Sequence, residues 1–401
     1  MPIDPAKQIL ARWADPDPAH VPLLKQARIQ AVLLDTPHAP FEQACHAAGI
    51  DTAPAVSVPV VARGLWPGIR SQPRRGGGDE IASASREPWV DANGYIVACE
   101  RVLDPSKPTV LGYRPDDKSG VLPDRMIPFE TLEAALAEAR VMGGNFVLAV
   151  EPRYRAALLK RDPKALAAWS SLGAAAAWLQ ANAALFARPA LPTITALIEP
   201  GYPTQELVNL LYRRNASPAV ASAASPPSPD PAIQCLIACS LKSVPSSVFA
   251  HAERGATVVI DSPPNPAWKA ARKEKDRGFY PLGRGQVVVY DKRIADPSEF
   301  ALDMIDIVNH RNRAARLWNA PAVIPVAVKG ERPGQALLHL LNYGAPVADE
   351  MQARIQGKFA TAELLLPGKP PRKLATAARG ATTEVFVPEL GRVGTVRFSS
   401  V

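Results

Sequence analysis

The chain has 401 residues, 47% of them hydrophobic and 21% charged, close to the roughly 45–50% and about 25% of ordinary soluble proteins. Buried cores are expected and a wholly disordered chain is excluded; at roughly 100–200 residues per domain the length suggests two to four domains. Lys and Arg exceed Asp and Glu by 46 to 38, a net +8, and 42 prolines imply many rigid turns and few very long helices.

Residues 1–190 alternate short apolar runs with helix-like segments. AVLLD (31–35) reads as a strand and PFEQACHAAGI (40–50) as an amphipathic helix, followed by the runs TAPAVSVPVV (52–61) and GLWPGI (64–69). PWVDANG (88–94) leads into the helix YIVACERVL (95–103), and PTVLGY (108–113) follows. FETLEAALAEARVMGG (129–144) reads as a helix that starts acidic and ends in a glycine pair, as the helix dipole and C-cap preferences favour. NFVLAV (145–150) is a strand, and Pro163 to Phe186 a long Ala-rich helix. Strand–helix alternation with continuously apolar strands predicts a parallel sheet covered by helices. About six strands precede residue 160, whereas a full eight-fold barrel takes about 250 residues. The expectation for 1–190 is therefore a TIM-barrel-like unit, shorter than a full barrel.

Residues 191–319 read as a doubly wound, flavodoxin-like α/β unit. Its strands are TITALIE (193–199), PAVASAA (218–224), IQCLIACSL (233–241), TVVIDS (257–262) and QVVVYD (286–291). Its helices are TQELVNLLYRRN (204–215), SSVFAHAERGA (246–256) and a long one over 299–319. Between two of these strands, Lys269 to Arg284 holds six basic and two acidic residues and reads as a solvated loop. Residues 320–401 carry six short runs separated by Gly and Pro turns, the pattern of a small antiparallel β-domain.

Several chemistries lack their signatures. There is no G-x-S-x-G, P-loop, H-E-x-x-H or CxxC pair. No cofactor is implied, and His38 and His46 are too sparse a set for a metal site. No nucleic-acid module accompanies the basic stretch, and no apolar run approaches the ~20 residues of a membrane span. Four cysteines are too few for a disulfide scaffold. The opening MPIDPAKQIL shows no export signal, while a removed leader is compatible with a periplasmic or secreted protein.

Carboxylates at strand ends are more informative, because ligands of parallel α/β folds gather at that edge. Asp35 ends AVLLD, Asp91 lies in PWVDANG and Glu151 follows NFVLAV. Two such carboxylates across a sugar-sized gap serve as acid and nucleophile, or acid and base. The competing reading makes Asp35 and Glu151 helix N-caps or turn residues. Trp89, Asp91 and Asn93 share one face at strand spacing, an indole, a carboxylate and an amide suited to a polyhydroxylated ligand. Trp66 and Arg70 extend that set; the alternative is an Asx-turn at Asn93 with Trp89 in the core.

Three stretches coincide: PWVDANGY in the barrel-like unit, ADPSEFALDMIDIVNHRNRAARLWN closing the doubly wound unit, and ALLHLLNYG with TEVFVPELGRVGTVRF in the β-domain. The arrangement resembles bacterial glycoside-hydrolase-like proteins on the three-domain plan of microbial β-galactosidases: barrel, amidotransferase-like middle domain and C-terminal β-domain. The resemblance implies a carbohydrate partner and homo-oligomer contacts through the middle domain. Those enzymes carry an Asn-Glu pair for the acid, and no Asn-Glu dipeptide occurs here. Asp91, Glu151 and Asp35 are thus catalytic candidates by position, with Trp66, Arg70, Trp89 and Asn93 binding the sugar. The alternative is a catalytically inactive carbohydrate-binding or assembly protein. A third reading, amidotransferase-type chemistry, requires an accessible, low-pKa thiol at Cys235 or Cys239.

Overall fold

The computed structural model describes residues 3–60, 62–63, 66–70, 89–112, 127–274, 276–308, 312–344 and 347–400. The first part contains β1 (Leu10–Arg12), α1 (Val21–Gln26), β2 (Ala31–Leu34), α2 (Ala39–Ala47), β3 (Asp51–Pro54) and β4 (Ala62–Arg63). It continues with β5 (Gly68–Arg70), β6 (Trp89–Asp91), α3 (Gly94–Leu103), β7 (Val110–Gly112), α4 (Thr131–Val141), β8 (Asn145–Ala149), α5 (Pro152–Leu159) and α6 (Pro163–Ala181). Six of these strands form one parallel sheet in the order β3-β2-β1-β8-β7-β4. The last strand pairs with the first, so the order is that of a ring opened between β3 and β4.

Side chains divide as strand alternation requires. Leu10, Ala31, Leu33, Val110 and Val147 form a small cluster on one face with Val58. Their neighbours Ile9, Ala11, Val32, Leu34, Leu111, Phe146 and Leu148 join the large core shared with the helices. Two elements differ from expectation. The segment Leu10–Arg12 carries too few residues to show a period, yet it pairs on both edges and is central to the sheet. GLWPGI and PWVDANG do not join that sheet: Gly68–Arg70 and Trp89–Asp91 pair antiparallel as a separate hairpin.

The second part holds β9 (Ile194–Ile198), α7 (Tyr202–Arg213), β10 (Ala219–Ser222), β11 (Cys235–Ala238), α8 (Phe249–Glu253) and β12 (Thr257–Ile260). Then come β13 (Arg272–Lys273), β14 (Arg277–Leu282), β15 (Gly285–Tyr290) and α9 (Pro297–Val308). The five parallel strands lie in the order β10-β9-β11-β12-β15, which is the 2-1-3-4-5 order of flavodoxin-like sheets. The stretch expected as a solvated loop instead supplies β14 and β13, antiparallel strands at the sheet's edge. Its Arg272 and Lys273 are exposed on the outermost strand, where cationic side chains deter pairing with another chain.

The third part comprises β16 (Ala315–Trp318), β17 (Val323–Lys329), β18 (Gln335–Asn342), β19 (Ala348–Gln356), β20 (Thr361–Leu365), β21 (Arg372–Leu374), β22 (Thr376–Arg379), β23 (Thr382–Leu390) and β24 (Val393–Ser399). They form two antiparallel sheets, β16-β19-β23-β22 and β17-β18-β24-β20-β21. The helix expected over 299–319 ends at Val308, and Ala315–Trp318 is a strand against Gln352–Ile355. β18 explains its own unbroken apolar sequence. Leu338 and Leu340 fill the core between the two sheets, while Leu337 and Leu341 face the large core of the first part. His339 is fully buried there beside Phe186, and burial lowers its pKa to about 4.

Candidate functional site

The carboxyl edge of the parallel ring gathers three charged residues by register. Arg12 pairs with Leu33 of β2 on one side and Ala149 of β8 on the other. Asp35 and Glu151 each lie two residues beyond those partners, just past the ends of β2 and β8. Arg12 donates from Nε and Nη2 to the Asp35 carboxylate at 2.7–3.0 Å. Glu151 is the N-cap of α5: its Oε2 accepts from the amides of Arg153 at 2.9 Å and Tyr154 at 3.1 Å. Its Oε1 takes no hydrogen bond among the described residues. The capping alternative for Glu151 is thus the observed geometry, and Asp35 is a surface ion-pair partner.

Asp91 and Asn93 are elsewhere. The strand ends at Asp91, and Asn93 is already the N-cap residue of α3, so the expected alternation of Trp89, Asp91 and Asn93 on one strand face fails. The first turn of α3 rests on the turn that leads into β8. A Cβ added to Gly94 would lie 3.0 Å from Met142 Cγ. These residues therefore occupy the amino edge of the ring, opposite Glu151, because β8 runs between them. Asp91, 4% exposed, faces Arg213 of α7 at 3.6 Å. Trp66 is buried in the large core. The side chains of Arg70 and Trp89 lie outside the described residues. The structure therefore joins Arg12 to Asp35, sets Glu151 at the same edge by register, and places Asp91 and Asn93 at the other edge.

Sequence reasoning missed Glu138. It is fully buried in the last turn of α4 and collects several donors. Asn93 gives its amide to Oε2 at 2.8 Å and its Nδ2 to Oε1 at 2.9 Å, and the Tyr343 hydroxyl donates to Oε2 at 2.8 Å. Burial pushes the Glu138 carboxyl up to about 7, against the pull of these bonds and of the Gly94 amide. A glutamate here caps α3 from another helix and fastens the residue after β18 to the ring. The signal was present in its position: an acid in a helix's last turn opposes the dipole and needs local donors.

The amidotransferase reading requires an accessible, low-pKa thiol, and neither cysteine it names has that environment. Cys235 and Cys239 are buried, and burial raises the Cys235 pKa to about 12 and that of Cys239 well above its ordinary value. Among the described residues no cluster of His, Cys, Asp and Glu could hold a metal ion, and no helix is long and apolar enough to cross a membrane.

Neither a protein-family profile nor a curated protein sequence matches the chain. Solved structures do. A β-galactosidase from Bacillus circulans sp. alkalophilus aligns with TM-score 0.50 at 10% identity, covering 81% of this chain and 59% of that one. The α-L-fucosidase isoenzyme 2 of Paenibacillus thiaminolyticus aligns with TM-score 0.49 at 10% identity over 98% of this chain and 99% of its own. Gan42B, a GH42 β-galactosidase from G. stearothermophilus, gives TM-score 0.48 at 11% identity over 76% and 56%. This chain spans little more than half of the two β-galactosidases. At such identities the likeness concerns the fold alone: the architecture of this chain resembles that of the β-galactosidase from Bacillus circulans sp. alkalophilus.

Proposed function

We propose that this protein acts on a carbohydrate at the carboxyl mouth of its parallel ring, as a glycoside hydrolase whose carboxylate pair is Asp35 and Glu151. In this reading residues 1–190 are a reduced TIM-barrel-like domain, 191–319 an amidotransferase-like domain suited to oligomer contacts, and 320–401 a β-sandwich-like domain. The observation that carries it is register: Asp35 and Glu151 follow the two strands that flank that of Arg12, each two residues past the residue paired with Arg12. Two strand spacings of about 4.8 Å separate their backbones by about 10 Å. Inward-leaning side chains then bring the carboxyl groups nearer the roughly 6.5–9.5 Å of inverting enzymes than the about 5–5.5 Å of retaining ones. One carboxyl protonates the leaving oxygen and the other activates water from the opposite side of the sugar. Asp91 has no part in this pair, since it lies at the other end of β8.

A second reading is favoured by one observation, the capping role of Glu151 Oε2. It makes the mouth a catalytically inactive carbohydrate-binding surface in an assembly protein. Hydrolysis of a panel of aryl glycosides by the full chain, beside Asp35→Asn and Glu151→Gln, decides between the two. Aryl release abolished by both variants supports the enzyme. Release unaffected by either removes Asp35 and Glu151 from the site. Silence, with retained glycan binding, supports the inactive reading.

A further inference from the structure

Next to the mouth, α5 and the start of α6 line an open surface groove of about 570 Å³. Its wall is one helical face of α5: Arg153, Ala156, Ala157 and Lys160 recur at the spacing that stacks side chains along a helix. Arg161 and Asp162 close its far end. Arg153, Lys160 and Arg161 are all exposed, and none makes an ion pair or side-chain hydrogen bond among the described residues. Asp162, whose Oδ1 accepts from the amides of Lys164 and Ala165 at the start of α6, brings one negative charge to the same lining, so the three cations outnumber it. Arg155 and Lys164 add positive charge on either side. The groove thus sets three cations against one carboxylate along a face of small alanines, which leave room for a ligand to approach the helix. It begins where the mouth ends, since the amide of Arg153 is itself bonded to Glu151.

We infer that this groove is an anion-binding subsite for an acidic sugar residue, carboxylated or sulfated, of an oligosaccharide whose neighbouring unit occupies the mouth. The inference rests on the carbohydrate reading of that mouth. Guanidinium groups suit either anion, because their planar forks match two oxygens at once. Substrate selection would then be electrostatic, with a salt dependence that a neutral glycan lacks.

Calorimetric titration of the full chain tests it, using an oligogalacturonate, the same oligomer fully methyl-esterified, and a sulfated oligosaccharide, each at low and high salt. At least one acidic oligomer is expected to bind, and the better of the two identifies the anion. Its affinity should fall about tenfold or more in a combined Arg153→Ala, Lys160→Ala, Arg161→Ala variant, a loss that reports directly on binding free energy. These residues are exposed, so an unchanged melting temperature verifies that the variant is folded. Arg272→Ala with Lys273→Ala, on the distant basic hairpin, should leave affinity unchanged. Equal affinity for the esterified oligomer, or wild-type affinity in the triple variant, overturns the inference. Binding or hydrolysis of neutral glycosides without charge preference overturns the subsite and leaves the carbohydrate reading standing. Failure to bind any glycan overturns both.

Discussion

The two ends of the parallel ring hold carboxylates in opposite conditions. At the amino edge Glu138 is fully buried with its oxygens occupied by Asn93 and Tyr343, and Asp91 sits against Arg213. At the carboxyl edge Asp35 is exposed and, among the described residues, paired with Arg12, whereas Glu151, 6% exposed, is nearly as buried as Asp91 but keeps one oxygen without a partner among the described residues. A buried, fully bonded carboxylate fixes elements to one another. An accessible one such as Asp35 can meet a substrate. On the proposed reading stability rests on the first end and chemistry on the second, and substitutions should separate the two.

The largest effect is expected at Glu138. Glu138→Ala strands the Asn93 amide and side chain and the Tyr343 hydroxyl in the interior, at roughly 1–3 kcal/mol each when unsatisfied. Incomplete relaxation suggests a total loss of about 3–5 kcal/mol, read as a fall in urea midpoint or melting temperature. Asn93 opens α3 and Tyr343 follows β18, so the loss should loosen the third part from the first, visible as faster amide exchange at both. A pH series refines this. Folding raises the Glu138 pKa from 4.5 to about 7, so between these values the folded chain holds a proton that the unfolded chain has released. This group's contribution is therefore greatest below about pH 4.5 and is lost as pH rises to about 7, on the order of 3 kcal/mol in all. Glu138→Gln should flatten that slope; an unchanged slope would assign it to other groups. Arg213→Ala, which leaves Asp91 buried opposite no cation from α7, should cost roughly 1–3 kcal/mol by the same measurement.

Much of the fold was legible because apolar runs and turn residues are local signals. AVLLD, NFVLAV, TITALIE and QVVVYD all contain strands, and YIVACERVL and TLEAALAEARV lie in helices. What escaped was non-local. Leu10–Arg12 is a strand because its neighbours pair with it, and Ala315–Trp318 because β19 does. The candidate site suffered from the same limit. A strand-end carboxylate is visible in sequence, but which edge of which sheet it reaches depends on pairing, and β6 belongs to a hairpin outside the ring. Charge counts were equally incomplete. Arg277, within the conspicuous basic stretch, is bound to Glu274 and Asp303, whereas the less conspicuous Arg153, Lys160 and Arg161 have no ion pair among the described residues.

At the carboxyl edge the order of effects should reverse, with small stability losses and large functional ones. Glu151→Ala removes an N-cap and should cost about 1 kcal/mol, measured as a modest shift in melting temperature. Asp35→Asn should be nearly silent in stability, below about 1 kcal/mol, because its pair with Arg12 is solvent-exposed. The amide keeps the shape and one acceptor oxygen for Arg12 while removing the charge. It cannot take or give the proton that hydrolysis requires. Turnover of a glycoside substrate should therefore drop about 100- to 10,000-fold, the usual weight of a positioned acid or base, with KM within a few-fold of the parent. A variant with both turnover and melting temperature intact would mean that Asp35 only neutralises Arg12. The division of labour between the two edges would then lose its catalytic half, while the Glu138 anchor would be unaffected.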